Sequence, residues 1–354
     1  MHVLIATDAW HPQVNGVVRT LVSLAAAAEA LGAKISFLTP ERMRTVALPS
    51  YPSIRLAVPP PGEIARRIEA LKPDAVHIAT EGPIGHLARR HCLRTGRRFT
   101  TSFHTRLADY ASARFPIPDR LTWGWLRWFH NAGQATMAAT PSLIGELEER
   151  GFHRVVRWPR GVDIDLFRPR EKREMASLRP ARPIFLSVGR VAVEKNLEAF
   201  LALDLPGSKV VVGDGPARQS LEARFPDAIF LGEKHGEDLA AVYAAADVFV
   251  FPSRTDTFGL VLLEALASGL PVAGFPVAAT RDVVGDAPVA VLDEDLRSAC
   301  LGAAALSRQA CRDYAMTLTW EESAKKFLAN LTGAGVCNGT PGRVSGRSSR
   351  LVRA

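Results

Sequence analysis

Residues 250–273 read VFPSRTDTFGLVLLEALASGLPVA, which is an apolar strand, a polar loop and then a helix that closes at Gly269. Two acidic residues lie in this segment, Asp256 on the loop and Glu264 in the helix, with seven positions between them. Because Glu264 lies about two turns along the helix, the segment can hold two ends of one elongated ligand. Taken alone, an acid at the position of Glu264 is more often a surface charge.

The start of this helix adds a second kind of binding group, the backbone N–H. The first N–H groups of a helix lack partners within it, so those of Phe258, Gly259 and Leu260 can bind an anion or sugar oxygens. The whole segment, with its terminating glycine and proline, resembles the donor-site signature of the family 4 retaining glycosyltransferases of the GT-B fold.

The resemblance implies a role for each acid and a reaction without a protein nucleophile. Glu264 would bind the ribose hydroxyls of a nucleotide-sugar, and Asp256 would bind a hexose hydroxyl. The family more often has Glu at the first position, so the shorter Asp256 implies a closer loop or a different sugar. Members transfer with retention, explained by same-face attack in which the leaving phosphate helps to deprotonate the acceptor and the protein supplies positions and fields.

The rest of the chain predicts an α/β fold with two Rossmann-like domains. A chain of 354 residues suits two domains. Short apolar runs alternate with longer amphipathic ones in both halves, which is the rhythm of a doubly wound parallel sheet. The predicted strands are His2–Ala6, Lys34–Leu38, Ala75–Ile78, Phe99–Ser102, Ala135–Ala139, Pro183–Gly189, Lys209–Val212, Ala228–Leu231, Asp247–Phe251 and Pro271–Ala273.

The rhythm stops at residues 159–163, PRGVD, and a charged, proline-bounded linker follows at residues 169–183. We therefore expect an N-terminal domain over 1–168 and a nucleotide-sugar-binding domain over 175–314, facing each other across a central cleft, because ligands bind at the carboxyl ends of such strands. In the GT-B resemblance, a C-terminal helix within 315–331 crosses back to the first domain. The Gly-, Ser- and Arg-rich tail, 332–354, is predicted to be disordered.

A second donor motif follows the first strand of the second domain. Residues 189–196 read GRVAVEKN, which is similar to the family's pyrophosphate-binding segment. Arg190 and Lys195 would stabilise the departing diphosphate as fixed cations, so we expect no metal and no cofactor beyond a UDP- or GDP-linked donor. The alternative is a surface ion pair of Lys195 with Glu194 or Glu198.

Two segments of the first domain resemble the family's cleft residues. Residues 12–18, PQVNGVV, resemble its glycine loop, in which the bare backbone at Gly16 sits against the donor phosphate and the acceptor. The absence of a GxGxxG fingerprint gives no support to dinucleotide binding. Residues 101–105 read TSFHT, and the resemblance puts His104 beside the transferred sugar as a catalytic group. The alternative is a buried structural histidine.

The charge is unevenly divided along the chain. Residues 1–168 hold 22 Lys and Arg against 14 Asp and Glu, residues 169–331 hold 18 against 22, and the tail holds four arginines and no acid. The first half is therefore expected to meet something anionic: a membrane surface, an acidic substrate or nucleic acid. The alternative is a solvated surface charge without a partner.

Aromatic residues and arginines are interleaved near the middle of the first half. Residues 106–129 include Trp123 and Trp128 beside Arg120 and Arg127, a mixture suited to the headgroup layer of a membrane. Family members with a similar first loop and His segment glycosylate lipids, which favours transfer of a hexose or uronic acid to a membrane lipid such as diacylglycerol. A soluble or polysaccharide acceptor is the alternative for the reaction, and packing in the domain core is the alternative for the aromatics.

The remaining features indicate the compartment and two other classes of function. The four cysteines lack metal-ligand spacing, no segment reaches the length of a membrane span, and the N-terminal run is broken by Asp8. We therefore expect a cytoplasmic protein peripherally associated with the inner face of the membrane. An isoelectric point near 9.6 leaves nucleic-acid binding as a weaker alternative, with no nucleic acid among the expected partners. A noncatalytic protein that binds sugar nucleotides is the other alternative to an enzyme.

Overall fold

The computed structural model describes residues 1–11, 16–41, 43–48, 51–104, 118–171, 180–256 and 258–333. The first domain contains β1 (His2–Ala6), α1 (Gly16–Ala30), β2 (Lys34–Leu38), β3 (Arg44–Leu48), β4 (Tyr51–Val58), α2 (Glu63–Leu71), β5 (Ala75–Ile78), α3 (Pro83–Thr95), β6 (Phe99–Ser102), α4 (Asp119–His130), β7 (Thr136–Ala138), α5 (Pro141–Glu149) and β8 (Val155–Arg157).

The second domain contains β9 (Ile184–Val188), α6 (Leu197–Leu201), β10 (Ser208–Val212), α7 (Arg218–Arg224), β11 (Ile229–Phe230), α8 (Gly236–Ala245), β12 (Val248–Phe251), α9 (Leu260–Ala267), β13 (Val272–Gly274), α10 (Ala278–Val284), β14 (Ala290–Leu292), α11 (Leu296–Ala303) and α12 (Arg308–Ala315). The last helix, α13 (Trp320–Leu331), follows it.

Each domain has a six-stranded parallel sheet. The strand orders are β2-β1-β5-β6-β7-β8 and β11-β10-β9-β12-β13-β14. The direction of winding reverses between β1 and β5 in the first sheet and between β9 and β12 in the second. Ligands of open α/β sheets bind outside the carboxyl ends of the strands at such reversals. The predicted fold class is confirmed.

All ten predicted strands are present, each within one residue of its expected ends. Four further strands are missing from the prediction. The edge strands β8 and β14 have three residues each, too few for a period to show. The antiparallel pair β3 and β4 lies outside both sheets, so it does not belong to the βαβ rhythm on which the prediction depends.

The core of the first domain follows from the alternation of side chains along β1. Val3 and Ile5 are packed with residues of α1 and α13 on one face of the sheet. Leu4 and Ala6 are packed with residues of α2 and α3 on the other face. Successive side chains point to opposite faces of a strand, so a continuous apolar run is buried on both sides.

The last helix belongs to the first domain by its packing. The C-terminal helix expected within 315–331 is present over Trp320–Leu331, and it lies against α1. Its Phe327 packs on Trp158, with ring centroids 5.0 Å apart. A Cβ added at Gly161 would lie 2.3 Å from the backbone nitrogen of Trp320, so the chain can pass the start of α13 only with glycine there.

Two expectations from the sequence are not decided by this architecture. The domain boundaries at 168, 175 and 314 stay predictions. Most of the predicted disordered tail lies outside the described residues, which end at Gly333. Each helix in the described part of the chain is too short or too polar to cross a membrane.

Candidate active site

The two domains meet at the carboxyl ends of their strands. Arg19 on α1 forms an ion pair with Glu264 on α9. Ser142 on α5 binds Asp282 on α10 through its backbone N–H, 3.2 Å from Oδ2, and through its hydroxyl, 2.8 Å from Oδ1. These contacts define a cleft with helices α1 and α5 on one side and helices α9 and α10 on the other.

Glu264 is a buried carboxylate of the cleft, with 3% of its surface exposed. Its Oε2 accepts a hydrogen bond from the Tyr243 hydroxyl at 2.9 Å, and its Oε1 accepts from Arg19. The charge of Glu264 raises the pKa of the Arg19 guanidinium, and burial followed by the same charge raises the pKa of Tyr243 well above its usual value. The alternative of a surface charge is wrong for Glu264.

Asp256 and Lys195 join the two predicted donor motifs in one ion pair. Glu198, one of the two alternative partners of Lys195, forms its ion pair with Arg224 instead, at 2.8 Å. The second oxygen of Asp256, Oδ2, is buried and accepts no hydrogen bond from any residue that the structure describes. A buried carboxylate oxygen that lacks a hydrogen bond can accept one from a hydroxyl group of a ligand.

The position of the loop that carries Lys195 is fixed by a hydrogen bond of the next residue, Asn196. Residues Val193–Lys195 form a single 3₁₀ turn, and Asn196 follows in the left-handed region with φ of 53°. The Asn196 side-chain nitrogen donates to the Pro252 carbonyl at 3.1 Å, which ties the loop after β9 to the loop after β12. Arg190 is exposed at the end of β9. Its role at the diphosphate stays a prediction.

The start of α9 has the geometry that the predicted N–H site requires. Gly259 precedes the helix with φ of 79°, a left-handed conformation that favours glycine, and Leu260 is the first helical residue. The N–H groups of Phe258, Gly259 and Leu260 therefore belong to the free end of a helix. Thr257 lies outside the described residues. Whether these groups bind sugar or phosphate stays a prediction.

His104 follows β6, which lies in the first sheet between the strands that lead to the two interdomain contacts. The Arg160 guanidinium lies 3.2 Å from its Nδ1, and the Trp158 ring meets it edge-on at 5.7 Å. Burial, and then the positive charge of Arg160, hold the pKa of His104 well below its usual value. His104 is therefore a neutral imidazole on the cleft wall, and its contact with a sugar stays a prediction.

Two further histidines lie behind this wall. His77 binds the Thr100 hydroxyl at 2.9 Å and the Ser102 hydroxyl at 3.1 Å, and burial lowers its pKa to about 3. His130 contacts the Glu81 carboxylate at 3.1 Å. This part of the first domain is built from neutral or paired polar groups.

The glycine loop is only partly described. Residues 12–15 lie outside the described part, and Gly16 begins α1. Gly16 is exposed, and a Cβ added there would meet no atom within 4 Å. The predicted contact of Gly16 with a phosphate stays a prediction.

The predicted membrane residues divide between the core and the surface. Trp123 is buried, with 6% exposed, and stacks on Phe103 at 6.1 Å in the domain core. It lies on the inner face of α4, so the alternative of packing in the domain core holds for Trp123 and its prediction as a membrane-contacting residue is wrong. Its contact with an acceptor stays a prediction. Arg120, Arg127 and Trp128 are exposed, and Trp128 has 54% of its surface in solvent.

Sequence reasoning missed three residues of the cleft. Arg19 and Tyr243 contact Glu264 from distant parts of the chain, and no local pattern marks either of them. Arg160 could have been predicted from the sequence, because residues 159–163 interrupt the alternation of strands and helices with a charged residue before a glycine. That interruption indicated a domain end and not a binding group. The described residues contain no group of three His, Cys, Asp or Glu placed to hold a metal ion.

Comparison with known proteins agrees with this arrangement. Residues 14–166 match the model of Glycosyltransferase Family 4, and residues 182–306 match that of Glycosyl transferases group 1. The chain is 30% identical over 308 residues to a GDP-mannose-dependent alpha-mannosyltransferase of Mycobacterium tuberculosis, covering 80% of this chain and 81% of that protein. It is 32% identical over 264 residues to the sulfoquinovosyl transferase SQD2 of Arabidopsis thaliana, and the match covers 68% of this chain and 50% of that protein.

A solved structure has the same architecture. A sucrose-phosphate synthase from Thermosynechococcus elongatus superposes with a TM-score of 0.74 at 19% identity, covering 94% of this chain and 99% of that one. WaaG, a glycosyltransferase involved in lipopolysaccharide biosynthesis, superposes with a TM-score of 0.65 at 17% identity, covering 94% and 100%. With its two parallel-sheet domains and its cleft, the chain belongs to family 4 of the glycosyltransferases, enzymes of the GT-B fold that use nucleotide-sugar donors.

Proposed function

We propose that the protein is a retaining, metal-independent transferase that moves a hexose or uronic acid from a UDP- or GDP-linked donor to a membrane lipid such as diacylglycerol. The observation that carries the donor part is the pairing across the cleft of Glu264 with Arg19, beside the Lys195–Asp256 pair. The relatives named as GDP-mannose-dependent mannosyltransferases make GDP-mannose the first donor to test.

The geometry supports a division of the donor between the two acids. Each carboxylate oxygen can accept two hydrogen bonds, so Glu264 keeps acceptor capacity for ribose hydroxyls beside Tyr243 and Arg19. Asp256 would accept a sugar hydroxyl at Oδ2. Lys195, held by Asp256, would face the diphosphate together with the exposed Arg190. Fixed cations of this kind stabilise negative charge as it develops on a leaving group.

The reaction then needs no protein nucleophile. The bond from the anomeric carbon to the phosphate oxygen breaks, and the bond from the same carbon to the acceptor oxygen forms on the same face. The acceptor proton goes to the departing phosphate. The protein holds the donor and acceptor in register and neutralises the diphosphate.

The surface of α4 supports a membrane acceptor. Leu121 has 59% of its surface exposed and lies with Trp128 on the outer face of the helix, about two turns apart. Arg120 and Arg127 directly precede these two residues. An apolar and cationic face of this kind suits the headgroup layer of an anionic bilayer. Leu121 takes the place that the sequence assigned to Trp123.

The neighbouring helix α3 extends this surface. His86 of α3 stacks on Trp125 of α4 at 5.4 Å, so the two helices lie side by side. Leu87, Arg90 and Arg94 are exposed on α3, and the helix contains no acidic residue. We expect peripheral binding to the cytoplasmic face of the membrane through this α3–α4 surface, at about 1 kcal/mol for each arginine near the lipid.

The donor is tested by thermal unfolding with GDP-mannose, UDP-glucose and UDP-glucuronic acid, without divalent metal. A ligand at 100 times its dissociation constant stabilises the fold by about 2.7 kcal/mol, so one nucleotide should give a clear shift. Failure of every nucleotide-sugar to shift the transition would overturn the donor assignment.

The acceptor is tested with the radiolabelled form of that donor and phosphatidylglycerol vesicles containing diacylglycerol. We expect the label in the lipid fraction. Label only in added oligosaccharide would replace the lipid acceptor by the soluble or polysaccharide alternative. In flotation with the same vesicles, Arg120→Gln should lower the partition coefficient about fivefold. Arg224→Gln, an exposed arginine on α7, is the matched control and should float like the unchanged protein.

A further inference from the structure

Arg160 is a buried arginine of the first domain, with 5% of its surface exposed. Its Nη1 donates to the Trp158 carbonyl at 2.8 Å, and its guanidinium lies over the Trp158 ring at 4.1 Å. Its Nη2 reaches the Nδ1 of His104 at 3.2 Å. One Nη1 hydrogen and one Nη2 hydrogen of this side chain therefore bind one backbone group and one imidazole.

The contact with His104 decides where the imidazole carries its proton. A guanidinium has five N–H donors and no acceptor, so Nδ1 of His104 must be the acceptor in this hydrogen bond. A neutral imidazole has one hydrogen on its two nitrogens, and here that hydrogen lies on Nε2. Burial lowers the pKa of Arg160 to about 9, which leaves the guanidinium charged at neutral pH.

The position of Arg160 is fixed from behind by the crossing helix. The Trp158 indole N–H donates to the Ser323 hydroxyl of α13 at 3.1 Å. The same hydroxyl donates to the Pro159 carbonyl at 2.7 Å. A chain of contacts thus runs from α13 through Trp158 and Arg160 to His104, and it sets the orientation of the imidazole.

We propose that Arg160 is a positioning residue that fixes His104 as the Nε2–H tautomer, so that His104 offers a neutral hydrogen-bond donor to the bound sugar. The assignment of the tautomer stands on the contacts above. Only its use toward a sugar rests on the proposed function. A donor at Nε2 would select an oxygen of the substrate that can accept, and a His104 in the other tautomer could not make that bond.

The groups that face His104 also limit its titration. Burial lowers the pKa of His104 most, the Arg160 charge against Nδ1 comes second, and repulsion with His77 on β5 and His130 at the end of α4 on protonation adds to both. Removing the guanidinium removes the nearest cation. In an Arg160→Met variant the charge is lost and the burial remains, so the pKa of His104 should rise but stay below its usual value.

The test reads the tautomer directly. The full chain, labelled with ¹⁵N and ¹³C histidine, is measured by NMR at pH 7, and His104 is assigned by the signal that His104→Ala removes. The expected result is a hydrogen on Nε2 in the unchanged protein and a mixture of tautomers in Arg160→Met. Arg160→Lys, which keeps a donor-only cation, should keep the Nε2–H form. A hydrogen on Nδ1 in the unchanged protein, or the same tautomer in Arg160→Met, would overturn the proposal.

Kinetics separate this outcome from failure of the proposed function. We expect kcat of Arg160→Met to fall about tenfold, while the affinity for the nucleoside diphosphate alone is unchanged, because the second domain is intact. Arg157→Met, an exposed arginine three positions earlier, is the control and should match the unchanged enzyme. If no nucleotide-sugar binds at all, the proposed function fails, and the NMR result still decides the tautomer because it needs no substrate.

Discussion

The two walls of the cleft handle charge in different ways. On the second-domain wall, carboxylates and cations are paired within reach of a ligand, as in Lys195–Asp256 and in Glu264 with its partner Arg19. On the first-domain wall, His104 and His77 are held neutral by burial, and Arg160 lies behind them as a buried cation. Both walls are the carboxyl edge of the same kind of parallel sheet. The fold therefore supplies the position, and the side chains decide that one wall is ionic.

The difference predicts a division of labour. An ionic wall suits a diphosphate and a ribose, which present charge and several hydroxyls. A neutral wall suits the reacting sugar and the acceptor, which need orientation more than charge. Four exposed arginines of the first domain, Arg90, Arg94, Arg120 and Arg127, lie instead on the outer α3–α4 surface. Each of the following changes alters one wall and leaves the other in place.

The largest effect is expected from loss of the fixed cation. Lys195→Ala should lower kcat about a hundredfold, because removing one preorganised charge donor from a transition state typically costs that much. Lys326→Ala, an exposed lysine on α13, is the matched control. Steady-state transfer is measured with and without EDTA. Equal rates are expected for the unchanged enzyme, and a requirement for magnesium or manganese would contradict the role given to Lys195.

A smaller effect is expected at the buried acid of the same wall. Glu264→Gln keeps the size of the side chain and removes its charge, so donor affinity should fall by about 1 to 3 kcal/mol through weakened charged hydrogen bonds. Glu149→Gln, on the exposed end of α5, serves as the control. Calorimetry with the nucleoside diphosphate measures the change. Equal affinities for the two variants would show that Glu264 closes the cleft with Arg19 but does not bind the nucleotide.

The sequence was informative where the interacting residues are close together in the chain. Parallel strands that are buried on both faces have continuous apolar sequences, and these runs predict both sheets. The acidic motif could be found because the loop and α9 are contiguous. The partner of Glu264 could not, since Arg19 lies 245 positions away and only the packing of the two domains brings it there.

Helix α4 shows the opposite limit. Tryptophans that are close in the sequence point in different directions, because each residue turns a helix by about 100°. Trp123 and Leu126 face the core, whereas Leu121 and Trp128 face solvent. The apolar residues of α4 repeat with helical spacing, so this part of the error was avoidable. Packing against α3 and the sheet decides which face of α4 is buried. The sequence of α4 alone does not predict that choice.

The smallest expected effect tests the neutrality of the first-domain wall. The pKa of His77 is about 3 in the folded protein against an ordinary 6.5, so the unfolded chain binds the proton first as pH falls. The contribution of His77 to stability is complete above pH 6.5 and is lost progressively toward pH 3. Between pH 7 and pH 5.5 this one group should cost about 1 kcal/mol of the free energy of unfolding.

Urea unfolding at the two pH values measures this loss, with His77→Gln as the test and His153→Gln as the control. Glutamine can still bond Thr100 and Ser102 but does not titrate, so His77→Gln should lose about 1 kcal/mol less between the two pH values than the unchanged protein. His153 is exposed, and its replacement should leave the pH dependence as it was. If His77→Gln and His153→Gln follow the same curve, the pKa of His77 in the folded state is the ordinary 6.5, and the first-domain wall gains a charge as the pH falls through that value.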